Sequence, residues 1–436
     1  MIQWDPRALE VLARLRTSGY QAVLVGGCVR DFLRGKEPHD YDAATSAQPE
    51  EIIAACADLH CVPTGLRHGT VTVLCQGLPV EVTTFRREGT YSDGRHPDQV
   101  SFTTSLTEDL ARRDFTINAM AWDEDGLADR FGGRADLEAG LIRCVGEPER
   151  RFQEDALRIL RGLRLAAQLD FAIHPDTAQA IRTETPRLAM VARERIGGEF
   201  LRLLCGPGAG RVLLDFPQTV CEIVPQLAPT VGFDQKNPHH AWDVYTHLVK
   251  TVEKVPPQPA LRLAALLHDV GKPATFFMDE SGTGHFYDHA EESARLCEDI
   301  AQQLRLDSAT RNRVVTLVQR HHLPLQSTQA CVGRWLRRLG PELFFQLIDL
   351  MKADGASCLP KQSAREELDE VADLARTILA QAPCLTLKDL AVNGRDAMAA
   401  GLSGPAIGRA LNRLLDQVAE GMLPNERDIL LNHLSD

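Results

Sequence analysis

Two aspartates one residue apart, in His39-Asp40-Tyr41-Asp42-Ala43, are the sharpest chemical signal in this chain of 436 residues. Strand alternation predicts both carboxylates on one face, with Tyr41 and Ala43 on the other. Acids that close repel one another unless a cation sits between them. Magnesium suits the place, because it takes hard oxygen ligands from one or two carboxylates together with substrate phosphates. Glu81, in Val80-Glu81-Val82-Thr83, is a candidate third acid on a neighbouring strand; a solvent-facing polar strand is the plainer reading of that residue. Directly upstream, Val23-Leu24-Val25-Gly26-Gly27-Cys28-Val29-Arg30-Asp31 reads as a strand, a double-glycine turn and a helix that stops at Gly35. Glycine lets the backbone approach an anion closely, and a helix start aims N–H groups at it. Many strand–helix turns carry two glycines for geometry alone, so it is the aspartate pair that gives this turn its meaning.

A second constellation lies far downstream. Eight of the fourteen histidines fall between His239 and His322. His247 sits in a helical run, and His268-Asp269 closes another that Gly271 and Pro273 stop. His285, His289, His321 and His322 follow, and Asp354 comes later in Leu350-Met351-Lys352-Ala353-Asp354. An adjacent His and Asp offer one nitrogen and one oxygen to a divalent metal, and ligands from separate helices complete the shell. A single histidine on a helix is ordinarily a satisfied core or surface residue. That plainer reading is kept for His239, His240 and His285.

These groups need elements to hold them. Alternating, β-branched runs crowd the first 125 residues between helical stretches, which is an α/β pattern. After about Arg150 the strand signals fade, and apolar residues recur at three- and four-residue spacing, as in Glu154-Asp155-Ala156-Leu157-Arg158-Ile159-Leu160. Asp155 and Arg158 then share a helix face, and Glu154 can brace Arg158 four residues on. An ordinary helical ion pair is the alternative. The net charge of −12 argues against a nucleic-acid partner for the whole surface, yet residues 150–215 hold eleven Arg against eight acids. No basic head with an apolar core opens the chain, and no apolar run approaches the roughly 20 residues of a membrane span. The eleven scattered cysteines read as reduced thiols, so the cytoplasm is the expected compartment.

Five motifs in order resemble the nucleotidyltransferase superfamily of the DNA polymerase β type, and within it the class II CCA-adding enzymes and bacterial poly(A) polymerases. They are Gly26 to Asp31, Asp40 with Asp42, Arg112-Arg113-Asp114-Phe115-Thr116-Ile117-Asn118-Ala119, Asp129 to Gly133, and Glu154-Asp155-Ala156-Leu157-Arg158. The resemblance covers about residues 20–215. It implies that Asp40 and Asp42 are catalytic Mg2+ ligands. Gly26, Gly27, Arg30, Arg113, Asp114 and Asn118 would lie near the nucleotide, and Asp129 to Gly133 would form a hinge. Glu154, Asp155 and Arg158 would act as an amino-acid template. The chemistry agrees: cytosine and adenine each offer an amino donor beside a ring-nitrogen acceptor, which suits a carboxylate next to a guanidinium. Uracil and guanine set donor against donor and acceptor against acceptor, at roughly 1–3 kcal/mol for each mismatched group.

Residues 86–97 resemble the flexible loop that full CCA-adding enzymes keep and CC-only enzymes lack. Gly65-Leu66-Arg67-His68-Gly69-Thr70-Val71 lacks the Gly-Arg-Arg-Phe pattern of the poly(A) branch. The histidine-rich block resembles the HD phosphohydrolases, whose minimal set maps to His247, His268, Asp269 and Asp354, with His289 and one of His321 or His322 for a second metal. Residues 386–396 resemble the tail that docks the tRNA elbow.

The expected fold class is α+β. A polymerase-β-like nucleotidyltransferase head with a mixed sheet spans 1–145, followed by all-α parts. These are a neck at 146–230, an HD-type domain at 231–327 with Asp354 beyond it, and a tRNA-binding body and tail at 328–436. The expected activity is template-independent addition of CCA to tRNA 3′ ends from CTP and ATP, with Mg2+ in the head and a divalent transition metal at the HD site. Three readings stand beside it: a poly(A) polymerase, a CC-only enzyme, and a metal phosphohydrolase whose head only binds RNA or nucleotide.

Overall fold

The structure is a computed structural model and describes residues 3–66, 69–88, 100–237, 241–357, 362–381 and 384–434. The backbone divides into two compact units, Met1–Pro225 and Gln226–Asp436. The fold is mixed α+β, with its large sheet near the N-terminus and helices dominating thereafter.

The sheet of the first unit has seven strands. In chain order they are β1 (Ala22–Val25), β2 (Tyr41–Thr45), β3 (His60–Gly65), β4 (Thr70–Cys75) and β5 (Leu78–Thr84); after the separate hairpin of β6 (Arg86–Glu88) and β7 (Val100–Phe102) come β8 (Met120–Asp123) and β9 (Gly126–Asp129). The spatial order is β3-β4-β5-β2-β1-β8-β9. Every pairing in that sheet is antiparallel except β2 with β5. All four residues of β1 are buried, as a central strand covered on both faces requires. The helix Pro6–Thr17 packs on the sheet through Ala8, Val11, Leu12 and Leu15, a one-sided stripe, and Asp5 caps its start. Between β4 and β5 the chain reverses through Gln76 and Gly77, both with positive φ, a two-residue hairpin turn of the primed kind.

In the second unit the helices Val244–Lys254, Pro259–Leu267, His289–Gln303, Ser308–Arg320 and Pro341–Ser357 pack around one another. Further along, the helices Gly394–Ala399, Pro405–Ala419 and Arg427–Asn432 close over a small core of Val392, Ala397, Leu414 and Leu430. Among the described residues no helix is long and apolar enough to cross a membrane, and the described cysteines are free thiols.

Candidate active site and metal centre

Asp42 is the second residue of β2, and the parallel pairing sets Glu81 directly opposite it. Asp40 departs from the expected alternation. The strand starts at Tyr41, and Asp40 lies exposed in the bend before it, because β1 pairs only as far as Ala43 and turns off at Gly26. Tyr41 and Ala43 are buried as expected. Burial, foremost, and the nearby carboxylates of Glu81 and Asp40 push the Asp42 carboxyl above its usual range, against the pull of Arg113. Glu81 and Asp40 lie near enough to act on Asp42 electrostatically, but the three carboxylates are not among the groups whose ligand atoms converge within 4.8 Å.

Gly26 has φ +75°, a conformation that L side chains rarely adopt. A Cβ there would stand 3.1 Å from Nη1 of Arg113 and 3.5 Å from Oδ2 of Asp42. The missing side chain leaves a cradle between a cation and an acid. The Gly26 N–H does not face that cradle; it donates to the Met120 carbonyl on β8. Within the turn, Cys28 donates to the Val25 carbonyl, and burial pushes its thiol up to about 11, so it packs as a neutral group. Arg113 is held by Asp109, which sequence reasoning missed. That fully buried carboxylate accepts from Nε and Nη2 of Arg112 at 2.9 and 2.8 Å, from Nη2 of Arg113 at 3.2 Å and from the Arg86 N–H at 3.3 Å. The available signal was its place three and four residues before the two arginines.

A linked set continues the site. Nη1 of Arg30 donates to Oδ1 of Asn118 at 2.8 Å, and Asn118 reaches Oδ1 of Asp114 at 3.5 Å. Asp114 is buried and faces Nη2 of Arg161 at 2.9 Å. Burial, the largest single influence, would raise its carboxyl, but Arg161 and Arg158 with two N–H donors hold it below the ordinary range. Gly27 lies under the Arg30 guanidinium. Asp129 ends β9 and accepts from the N–H groups of Phe131, Gly133 and Arg134, which caps the helix Gly133–Glu138. A Cβ on Gly133 would lie 2.2 Å from the Thr116 carbonyl, so only glycine lets these two motifs touch.

The expected continuous helix through Glu154 and Arg158 is not formed. One helix, Pro148–Glu154, ends where Asp155 turns extended (φ −142°, ψ 105°), and a second runs Leu157–Leu169. The cause is Asp155 itself, whose Oδ1 takes the Leu157 N–H at 3.0 Å in place of a helical partner. The bracing survives the break: Glu154 accepts from Arg158 at 2.7 Å and from Arg151 at 2.6 Å. Arg158 is buried and also donates to the Arg112 carbonyl at 3.1 Å. Asp155 faces Arg195 at 3.6 Å instead of sharing a helix face with Arg158.

In the second unit the histidines converge. His247, His268, Asp269 and Asp354 bring one ligand atom each within 4.8 Å of the others, and Asp269, His289, His321 and His322 form another such group. Both His321 and His322 belong, where one had been expected, and Asp269 serves both groups. His285 stands outside them; His239 and His240, like residues 67–68 and 89–97, lie outside the described residues. Asp354 arrives from the helix Pro341–Ser357, beyond Thr328. Nδ1 of His268, His289 and His321 meets the Ala265, Phe286 and Val318 carbonyls at 2.9, 2.6 and 2.6 Å. These contacts place a proton on Nδ1 and turn an Nε2 lone pair inward. Nε2 of His247 and His268 are 3.1 Å apart. Nε2 of His289 and His321 approach Oδ1 of Asp269 at 3.2 and 3.5 Å without hydrogen-bond alignment. Converging, unaligned acceptors around a buried carboxylate fit a metal ion. Burial lowers the pKa of His268 and favours the neutral imidazole a metal takes. Lys272 contacts Oδ2 of Asp269 at 2.6 Å. Against burial, it and His268 hold that carboxyl well below its usual range.

Residues 22–143 match the sequence profile of the poly(A) polymerase head domain. Residues 170–216 match a profile described as a probable RNA- and SrmB-binding site of polymerase A, and residues 286–434 match tRNA nucleotidyltransferase domain 2. A CCA-adding enzyme of Levilactobacillus brevis is 36% identical over 444 residues, 98% of this chain and 97% of that one. One of Ligilactobacillus salivarius is 49% identical over 214 residues, 49% of this chain and 52% of its own. Among solved structures, the Bacillus stearothermophilus CCA-adding enzyme in complex with CTP matches with a TM-score of 0.76 and 30% identity, over 100% of this chain and 98% of that one. The Thermotoga maritima CCA-adding enzyme complexed with tRNA shares the fold, with a TM-score of 0.58 and 19% identity over 99% of this chain and 96% of its own.

Proposed function

The chain belongs to the family of the CCA-adding enzymes, and from that membership we propose that its first unit adds C, C and A to the 3′ end of tRNA from CTP and ATP without a nucleic-acid template. The observation that carries the assignment of residues is Asp42, flanked by Glu81 in strand register and by Arg113 across the gap that Gly26 leaves open. In the reaction the RNA 3′ oxygen bonds to the α-phosphorus, the bond to the bridging oxygen breaks, pyrophosphate leaves, and the hydroxyl proton passes to solvent. Asp40 and Asp42 are the residues to hold Mg2+, with Glu81 beside them. A bound divalent cation supplies Lewis-acid stabilisation of the triphosphate and of the attacking oxygen. Arg113, anchored by Asp109, sets positive charge at the same edge, and Arg30, Asn118 and Asp114 order the ribose side. The family motif gives Asp155 and Arg158 the roles of acceptor and donor that select cytosine and adenine, and this requires Asp155 to leave Arg195 for the side of Arg158 when the nucleotide binds. The tail from about residue 328 would meet the tRNA elbow, and the cytoplasm is the compartment that fits such a substrate.

A tRNA lacking its 3′ terminus, incubated with Mg2+ and each nucleotide singly and together, tests the reading by product size. Three added residues support it, a long A tail indicates a poly(A) polymerase, and two cytidines a CC-only enzyme. A second activity is favoured by the histidine cluster. His247, His268, Asp269 and Asp354 would hold one divalent transition metal of an HD-type phosphohydrolase, and Asp269, His289, His321 and His322 a second. Metal content of the purified chain, compared with Asp269→Ala, checks this directly. Under this division the four-part domain plan places the metal centre across the 328 boundary, through Asp354.

A further inference from the structure

Behind the polymerase-like centre, on the other face of the sheet, lies a cluster of rings. β2 begins at Tyr41, which pairs with Val80 of β5 on one side, while β1 on the other side pairs only from Ala43 onward. The stretch that carries Asp40 and Asp42 is thus held by strand pairing along one edge only. Alternation turns Tyr41 and Ala43 to the face opposite Asp42. Trp122 of β8 is in register with Leu24, and Leu24 with Ala43, so the Trp122 ring stands on that same rear face.

Trp4, just before the helix Pro6–Thr17, packs among these rings. It stacks on Phe32 with centroids 3.9 Å apart and planes at 11°. It meets Tyr41 edge-on at 6.5 Å and Trp122 at 5.9 Å, and Phe32 meets Trp122 at 5.4 Å. Stacked and edge-to-face pairs of this kind fix geometry as well as filling volume. Phe32 lies two residues beyond Arg30 on the helix that starts at the double-glycine turn, and Tyr41 lies between the two aspartates. One indole therefore contacts both elements that meet at the site. Its N–H is buried with no acceptor among the described residues, a cost in stability that a phenylalanine would escape. The reach of two fused rings, not a hydrogen bond, is what this position uses.

We propose that Trp4 is a positioning residue for nucleotidyl transfer: from the rear face of the sheet it ties Tyr41 to Phe32 and so sets the Asp40–Asp42 stretch relative to the helix that carries Arg30. The proposal rests on the reading of the first unit given above. Trp4 touches neither nucleotide nor RNA in this scheme; it acts through Tyr41 and Phe32. Loosening it lets the aspartates drift along the edge that β1 leaves unpaired, and a displacement of about 1 Å at a reacting group can cost about a hundredfold in rate.

The test compares Trp4→Leu, which keeps apolar bulk without a flat face, with Trp4→Phe, which keeps the stack on Phe32 but shortens the reach to Tyr41. Leu15→Ala, buried about three turns further along, controls for lost stability alone. Each full-length protein is assayed for CMP addition to a tRNA lacking its 3′ terminus. CTP retention is followed by equilibrium dialysis across a Mg2+ series without tRNA. CTP held elsewhere is common to all the proteins, and Asp42→Ala measures it. Trp4→Leu should lower kcat by about tenfold or more, leave KM for CTP at saturating Mg2+ near parental, and raise the Mg2+ needed for half-maximal retention by a similar factor. Trp4→Phe should fall between parent and Trp4→Leu in both readouts. Leu15→Ala should lower the thermal midpoint yet match the parent in both, at a temperature where all are folded. Parental kcat and Mg2+ dependence in Trp4→Leu overturn the proposal, as does a Leu15→Ala that is equally slow. If Trp4→Leu does not fold, Trp4→Phe decides alone, and parental values in it overturn the proposal. A parent that neither retains CTP nor adds CMP overturns the nucleotidyl-transfer reading, and the role of Trp4 with it.

Discussion

Removing the charge of Asp109 while keeping its shape isolates what one buried carboxylate does for the polymerase-like centre. Burial would raise its pKa, but Arg112 and Arg113 outweigh that and lower it. A carboxyl whose folded pKa lies below the unfolded value of about 3.9 stabilises the fold above that pH, and the benefit fades as pH falls through the folded value. Asp109→Asn should therefore cost about 3 kcal/mol at pH 7, the scale of a broken buried ion pair. Denaturant unfolding at pH 7 and again at pH 3 should show the gap between parent and variant narrowing in acid. Because Arg113 loses its anchor, the turnover of CMP addition should also drop, by about tenfold, with little change in KM for CTP. The contrast with Asp40 and Asp42 is instructive. Their candidacy is legible because two acids one residue apart beside a glycine turn are a local pattern, although Asp40 lies in the bend before the strand instead of on it. Asp109 makes its contacts partly to Arg86, twenty-three residues away, and nothing local announces that it is buried.

The break between the helices Pro148–Glu154 and Leu157–Leu169 is where the reading from periodicity fails, and the failure lies at the proposed template. Apolar spacing continues through the break, so the pattern is helical although the backbone is not. Asp155→Ala removes the group that caps the second helix and the proposed base acceptor together. Misincorporation of UMP and GMP should rise about tenfold relative to CMP and AMP, measured by single-nucleotide extension; unchanged preference would remove Asp155 from base selection. A second element-level device is the contact of Gly133 with the Thr116 carbonyl. Gly133→Ala must push the capped helix away and should cost roughly 1–3 kcal/mol, the range for overpacking, seen as a lowered midpoint in thermal unfolding. Asp129 to Gly133 stood out in the sequence only through resemblance. The close approach that makes glycine obligatory there is a tertiary fact. The same holds for Asp42 and Glu81: each strand is readable, but their parallel adjacency is not, because thirty-eight residues with two other strands intervene.

At the scale of the whole chain the nucleotidyl transfer proposed for the first unit and the metal chemistry proposed for the second share no residue. Asp42→Ala should abolish CCA addition, by at least about a thousandfold if its cation stabilises the transition state as such groups do, and leave the transition metal retained by the histidine–aspartate centre unchanged. Asp269→Ala should do the reverse, and the pair of assays checks both. The charge balance also becomes clearer. Of the eleven arginines between 150 and 215, Arg151, Arg158, Arg161, Arg164, Arg187, Arg195 and Arg211 each face an acidic side chain within their own unit. Six of these seven pairings use acids already counted in that stretch and only Asp114 lies outside it, so the segment keeps a small basic excess within an overall charge of −12. The histidines are the part of the second unit most open to reading, since their types name their chemistry; their division into two groups around Asp269 depends on helix packing and is not.

The turn at Gln76 and Gly77 has a consequence for how this corner of the protein can drift. Both residues have positive φ, and Val80 and Val82 are fully buried on either side of Glu81. A single inserted residue that slid the strand along would exchange inside for outside, sending the acid into the core and the valines to water. A length change absorbed by sliding this strand therefore keeps the acid opposite Asp42 only when the slide is an even number of residues.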